Sequence, residues 1–138
     1  MKPVVPLAAA QPTLGYALES YYSVLIDGNP VELPIVQLND RQAIALLMVI
    51  ERGIQFLQMV GAGLARTLSK LDADVVVGNA TLGIPVAVEL SRVLVKDQYV
   101  ILQKSLKFHL DDAMTEHVRS VTSSLPQRLL LDRRSIGL

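Results

Sequence analysis

The sequence predicts an α/β fold built on a parallel sheet, with an N-terminal β-hairpin and helices beside it. Three observations carry this expectation. Val75-Val76-Val77 is an unbroken β-branched run, of the kind found in strands covered on both faces, and it ends at Gly78. Tyr99-Val100-Ile101-Leu102 is a second buried run. Between them, Ile84 to Val95 reads as a helix: Val86, Val88, Leu90, Val93 and Leu94 are apolar, and Pro85 sits in the first turn, where its fixed φ suits a helix start. Strand, crossover helix, strand is a βαβ unit, which is parallel and right-handed.

Length and composition fit one domain. The chain has 138 residues and a mass of 15.1 kDa, with 51% hydrophobic residues and a mean hydropathy of +0.39. That is enough apolar material for a core and for a partner surface besides. Net charge is zero and the pI about 6.7, so no global basic field draws the chain to nucleic acid. The absence of cysteine excludes disulfides, thiolate metal sites and cysteine nucleophiles. It also agrees with a cytoplasmic location. The apolar start, Met1 to Gln11, is broken by Pro3 and Pro6. A secretory core wants roughly 7–15 uninterrupted apolar residues, so no signal peptide is expected. The most membrane-like window, 43–65, carries Glu51 and Arg52 as well as Gln55 and Gln58. Charges at that depth are costly in a bilayer, and the window reads as a buried amphipathic helix.

Taken in order, residues 1–14 read as an irregular arm. Tyr21 to Ile26 and Val31 to Val36 flank Asp27-Gly28-Asn29-Pro30, which makes a hairpin. Pro34 would confine the second strand to a sheet edge, and the hairpin is expected outside the main sheet. Asn39 or Asp40 would cap the next helix, with Gln42 in capping-box spacing after Asn39. Its stripe runs Ala43, Leu47, Ile50, Ile54, Leu57, Gly61, Leu64, Leu68, Leu71, at alternating intervals of four and three. Gly53, Gly61 and Gly63 weaken it, marking either a break near Gly53 or close packing against a neighbour. The βαβ unit follows. Gln103 to Pro126 is a mostly polar segment, long for a bare connection; Val118 to Val121 alternates like a strand, so a β-ribbon flap is expected there. Gln127 to Asp132 is a third apolar run. The whole is one domain, with 1–38 as arm and hairpin and 39–138 as α/β core and loop.

Val75 to Pro85, Tyr99 to Phe108 and Gln127 to Asp132, in that order, resemble type I phosphoribosyltransferases, nearest the adenine-phosphoribosyltransferase-like group. The likeness spans roughly residues 20–138. It implies a partial Rossmann-like parallel sheet, and transfer of a phosphoribosyl group from phosphoribosyl pyrophosphate to a purine-type base with release of pyrophosphate. It also implies magnesium bound with the donor, and a homodimer acting in purine salvage. By the same resemblance Asn79, Ala80, Thr81, Leu82 and Gly83 correspond to a pyrophosphate loop. Gln103 to Ser124 corresponds to a flexible catalytic loop in which Lys104 and Lys107 pair with the leaving phosphates. The hairpin corresponds to a hood over the base. One motif of that family is missing: no apolar strand here ends in two acidic residues followed by a Thr/Gly loop, and Asp111-Asp112 has no strand before it. The expectation is a front half of such a protein, inactive alone because its ribose-phosphate site is lacking.

The chemistry stands beside plainer readings. Pyrophosphate departure needs neutralised charge and excluded water, which loop amides from Ala80 to Gly83 and the Thr81 hydroxyl can supply; the same loop is equally a plain strand–helix turn. Lys104 and Lys107 are otherwise two solvated lysines. His109 and His117 lie eight residues apart among acids, and a metal site there has only those two imidazoles behind it, so no metal ligand is assigned. Arg128, Arg133 and Arg134 either contact phosphate or solubilise the terminus. No Walker motif or dinucleotide glycine fingerprint is present. The alternative function is a non-catalytic nucleotide-sensing or self-associating module on the same fold.

Overall fold

The structure is a computed structural model, and it describes residues 20–119 and 126–137. The arm proposed for 1–14 lies outside those residues. The chain divides into two compact units, 1–47 and 48–138.

The first unit is a three-stranded antiparallel sheet in the order β1-β2-β3, formed by Tyr21–Ile26, Asn29–Asn39 and Gln42–Ala45. The expected hairpin is present, with a tighter turn. Asp27 and Gly28 alone make it, at φ of 51° and 76°. Two positive φ values match the strand twist in a two-residue loop, which is why Asp-Gly suits it. The Asn29 amide also donates to the Asp27 carbonyl at 3.0 Å. Val31 and Leu33 are the buried residues of this sheet.

Two expectations fail here. Pro34 does not place β2 at an edge, because β2 lies between β1 and β3. The proline is tolerated where one ladder ends. Its carbonyl accepts from the Leu46 N–H at 2.9 Å, one pair beyond the last registered pair, Ile35–Ala45, so the donor it lacks would fall outside the ladder. The helix expected from residue 43 also does not begin there. Asn39 builds a turn instead: its Oδ1 accepts from the Arg41 N–H at 3.0 Å, and its Nδ2 donates to Gln42 Oε1 at 2.9 Å. The spacing of a capping box has become a turn that sends Gln42–Ala45 back along β2.

In the second unit a short 3-10 helix, Val49–Glu51, precedes helix α1, Ile54–Leu68. Gly53, at φ 81° and ψ 173°, stands just before it in a conformation open almost only to glycine. The break near Gly53 is therefore real. Of the expected stripe Gly61 is buried and Leu47, Leu57, Leu64 and Leu68 are half-buried, while Ala43, Ile50, Ile54 and Leu71 are exposed.

Strand β4 (Val76–Asn79), helix α2 (Gly83–Val93) and strand β5 (Tyr99–Leu102) form the expected βαβ unit, and β4 pairs with β5 in parallel register from Val76–Tyr99 to Asn79–Leu102. Full burial of β4 fails, since Val77 is 53% exposed. A sheet of two parallel strands leaves most of each strand's surface without a neighbour. The parallel arrangement stops there. Strand β6 (Ala113–Val118) and strand β7 (Gln127–Asp132) are antiparallel, and β7 joins the β5 end through an antiparallel Gln103–Leu130 bridge. The ribbon flap exists, but its first strand is Ala113–Val118; of the expected Val118 to Val121, Ser120 and Val121 lie outside the described residues. Buried Ala87, Leu90, Val100, Leu110 and Leu130 mark the core of this unit. Among the described residues the protein is thus mixed α/β, with small sheets and one parallel pair.

Candidate functional site

The turn from β4 into α2 depends on Gly78. A Cβ there would stand 2.9 Å from the Ala87 Cβ and 2.9 Å from the Gly83 carbonyl oxygen. Only glycine lets the strand end and the helix start approach so closely. Gly83 is different: its Cβ would meet nothing nearer than 3.6 Å, so its conformation does not demand a glycine. The peptide bond between Ala80 and Thr81 is cis.

Hydrogen bonding divides the loop amides. The Ala80 N–H donates to the Leu102 carbonyl at 2.9 Å, which ties the loop to the end of β5. The Ile84 N–H donates to the Thr81 carbonyl at 3.2 Å. Among the described residues no backbone carbonyl takes the N–H groups of Thr81, Leu82 or Gly83. Those of Leu82 and Gly83, the N-cap and first residue of α2, are donors a helix start leaves over; Thr81 stands one residue before them. Asn79 and Thr81 are exposed; Ala80, Leu82 and Gly83 are half-buried.

Lys104 and Lys107 line different cavities. Lys104 joins His117, Pro126, Gln127 and Arg128 around a cavity of about 340 Å³. Lys107 lies with Leu106, Phe108, His109 and Asp111 around an open one of about 570 Å³. The two histidines are therefore apart as well. Among the described residues no group of three or more His, Asp or Glu side chains converges as metal ligands would.

No protein-family model matches the chain, and no curated protein does.

Three arginines, Arg92, Arg133 and Arg134, are held by acids. The Arg92 guanidinium meets the Glu89 carboxylate at 2.6 and 3.1 Å one helical turn away on α2, and these hydrogen bonds hold the Glu89 carboxyl below the usual carboxylate range. Arg134 donates from Nε and Nη2 to the two Asp132 oxygens, each at 3.0 Å, and its backbone N–H adds a third bond at 3.0 Å. The Asp132 carboxyl is lowered for that reason, its side-chain bonds to Arg134 counting most. Arg134 also reaches the His109 carbonyl, and Arg133 lies 3.4 Å from Asp112. Arg133 and Arg134 thus tie the end of β7 to the segment before β6. Their partners are acids of this chain.

The grouping of His117 and Arg128 was not legible from spacing. They are Cα partners across the β6–β7 ribbon, and their meeting depends on the ribbon register. Only the correct start of β6 would have paired them.

Proposed function

We propose that this chain is a phosphoribosyltransferase-type polypeptide that binds the diphosphate of phosphoribosyl pyrophosphate at the β4–α2 loop, with a purine-type base as the acceptor. One observation supports the reading above the others: Thr81, Leu82 and Gly83 keep unused N–H groups at the start of α2, beyond the C-terminal ends of two parallel strands. Open α/β sheets bind ligands at that position, and helix N-termini favour anions. In this reading the three amides and the exposed Thr81 hydroxyl hold diphosphate oxygens. Lys104, directly after β5 and its bridging residue Gln103, adds a positive charge to the leaving group. Lys107 is the second cation of the same loop, and its separate cavity means that it would act only after the loop rearranges.

Magnesium belongs to this reading through the resemblance. The described residues do not form a cage for it. Its oxygens would come from the donor's diphosphate, and the residues named above bind and orient that group. The 138 residues contain no acidic pair followed by a Thr/Gly loop, so binding, rather than turnover, is the property this polypeptide is expected to display.

The test is amide hydrogen exchange of the purified 138-residue chain with and without phosphoribosyl pyrophosphate. Slower exchange at Thr81, Leu82 and Gly83, with Ala80 already protected, is the expected result. Unchanged exchange across 79–83 at millimolar ligand would remove the reading.

A second reading, a self-associating module on the same fold, is favoured by strand β1. Among the described residues it is an edge strand, and Tyr21, Tyr22 and Leu25 are 63%, 57% and 74% exposed. A homodimer is part of the transferase reading too, so the two share that expectation. Among the described residues no helix is long and apolar enough to cross a membrane.

A further inference from the structure

The cavity beside Lys104 carries a charge arrangement that the β4–α2 loop does not explain. His117 and Arg128 are directly opposed across the ribbon. Such a pair has its side chains on one face. Lys104 is brought to the same place by Gln103, whose N–H and carbonyl exchange bonds of 2.9 and 2.8 Å with Leu130, two residues along from Arg128. Three chain segments therefore deliver a lysine, an arginine and an imidazole to one space of about 340 Å³.

None of the three has a carboxylate partner among the described residues, whereas Arg92, Arg133 and Arg134 each have one. The residues 120–125 between the ribbon strands carry no acidic side chain either. Converging cations without a counter-charge raise the local potential, and an anion relieves it. Arginine supplies a planar fork suited to phosphate oxygens and lysine a point charge. The imidazole adds an N–H donor and, when protonated, a third charge.

We propose that Lys104, His117 and Arg128 form a second anion-binding site, which takes the phosphate or diphosphate group of a small molecule. It goes beyond the transferase reading, for no residue of 79–83 lines this cavity; Lys104 alone is common to both. The size of the space and the zero net charge of the chain favour a small anion over a nucleic-acid strand.

The experiment is a chemical-shift titration of the isotopically labelled 138-residue chain at low ionic strength with inorganic pyrophosphate, orthophosphate and ribose 5-phosphate. The expected result is perturbation of Lys104, His117 and Arg128 amides, saturable with pyrophosphate. Arg128→Gln and Lys104→Gln should each weaken it tenfold or more, Arg128→Lys less, and the control Arg92→Gln not at all. Comparable affinity for ribose 5-phosphate and orthophosphate identifies a phosphate site indifferent to esterification; preference for the ester identifies a metabolite's phosphate. Either supports the site. If pyrophosphate perturbs only 79–83, the site falls and the transferase reading stands. If it perturbs only the cavity, the site stands and the transferase reading loses its loop. Because Lys104 and Arg128 lie on separate segments, a misfolded variant of one leaves the other decisive. Tighter binding of a single-stranded oligonucleotide than of pyrophosphate at this face would overturn the proposal.

Discussion

Val95 ends helix α2 in the left-handed region, at φ 54°, with its side chain 89% exposed. Its N–H donates to the Arg92 carbonyl at 3.3 Å and the next N–H, of Lys96, to the Ser91 carbonyl at 2.9 Å. That paired pattern is a Schellman C-cap, in which glycine normally holds the left-handed position. A β-branched residue there costs about 1–2 kcal/mol, and the exposed side chain returns little by burial. Val95→Gly is therefore expected to stabilise the chain by about 1 kcal/mol, after the larger backbone entropy of glycine in the unfolded state is counted. A higher urea midpoint at unchanged slope is the readout; a lower midpoint would refute it. Residue-level reading of the sequence ran Ile84 to Val95 as helix, and a valine gave no warning of a cap. Conversely Asp27-Gly28 announced a turn, because glycine beside a turn-forming residue has few other uses.

At the scale of elements, the two helices of the second unit meet where a side chain would not fit. A Cβ on Gly61 of α1 would stand 2.6 Å from Glu89 Cγ and 3.3 Å from the Glu89 carbonyl carbon of α2. Glu89 cannot simply swing away, since its carboxylate is paired with Arg92. Gly61→Ala gains up to about 1 kcal/mol of helix propensity but faces an overpacking cost of about 1–3 kcal/mol. The expected net loss is about 1 kcal/mol, read as a lower thermal midpoint, and a midpoint raised by the substitution would show that the helices separate freely. The sequence offered a break near Gly53 or close packing for its three glycines without choosing; the structure puts the break at Gly53 and the close packing at Gly61. The sequence failed over 39–47 because the three-four spacing of Ala43, Leu47 and Ile50 also suits a strand followed by a turn. Asn39 and Gln42 bonded to each other rather than capping a helix. It read β4, α2, β5 and β7 closely, since each is a short apolar or amphipathic segment with its own stop. Pairing direction was another matter: β7 looks like another inner strand, yet it pairs antiparallel with β6.

For the whole molecule, apolar content exceeds what the described core consumes. Among the described residues, fully buried hydrophobic residues are few, while Phe108 is fully exposed and β1 presents Tyr21, Tyr22 and Leu25 along a sheet edge. An exposed apolar edge strand with unpaired backbone groups is a template for a second copy. The chain is expected to self-associate with rising concentration in sedimentation velocity, and Tyr22→Lys with Leu25→Lys to shift it toward monomer. A single monomeric species from micromolar to near-millimolar concentration would rule this out.

By itself the sequence determined the hairpin, the βαβ unit, the glycine that lets strand and helix touch, and the loop Asn79 to Gly83, because each depends on residues close in the chain. The tertiary structure decided which loop amides are spent, with Ala80 tied to Leu102 and Thr81 to Gly83 left over. It also separated Lys104 from Lys107 and set Lys104 beside His117 and Arg128. Those outcomes depend on strand register and on which carbonyl reaches which amide. Register joins residues far apart in the chain, and local spacing carries no record of it.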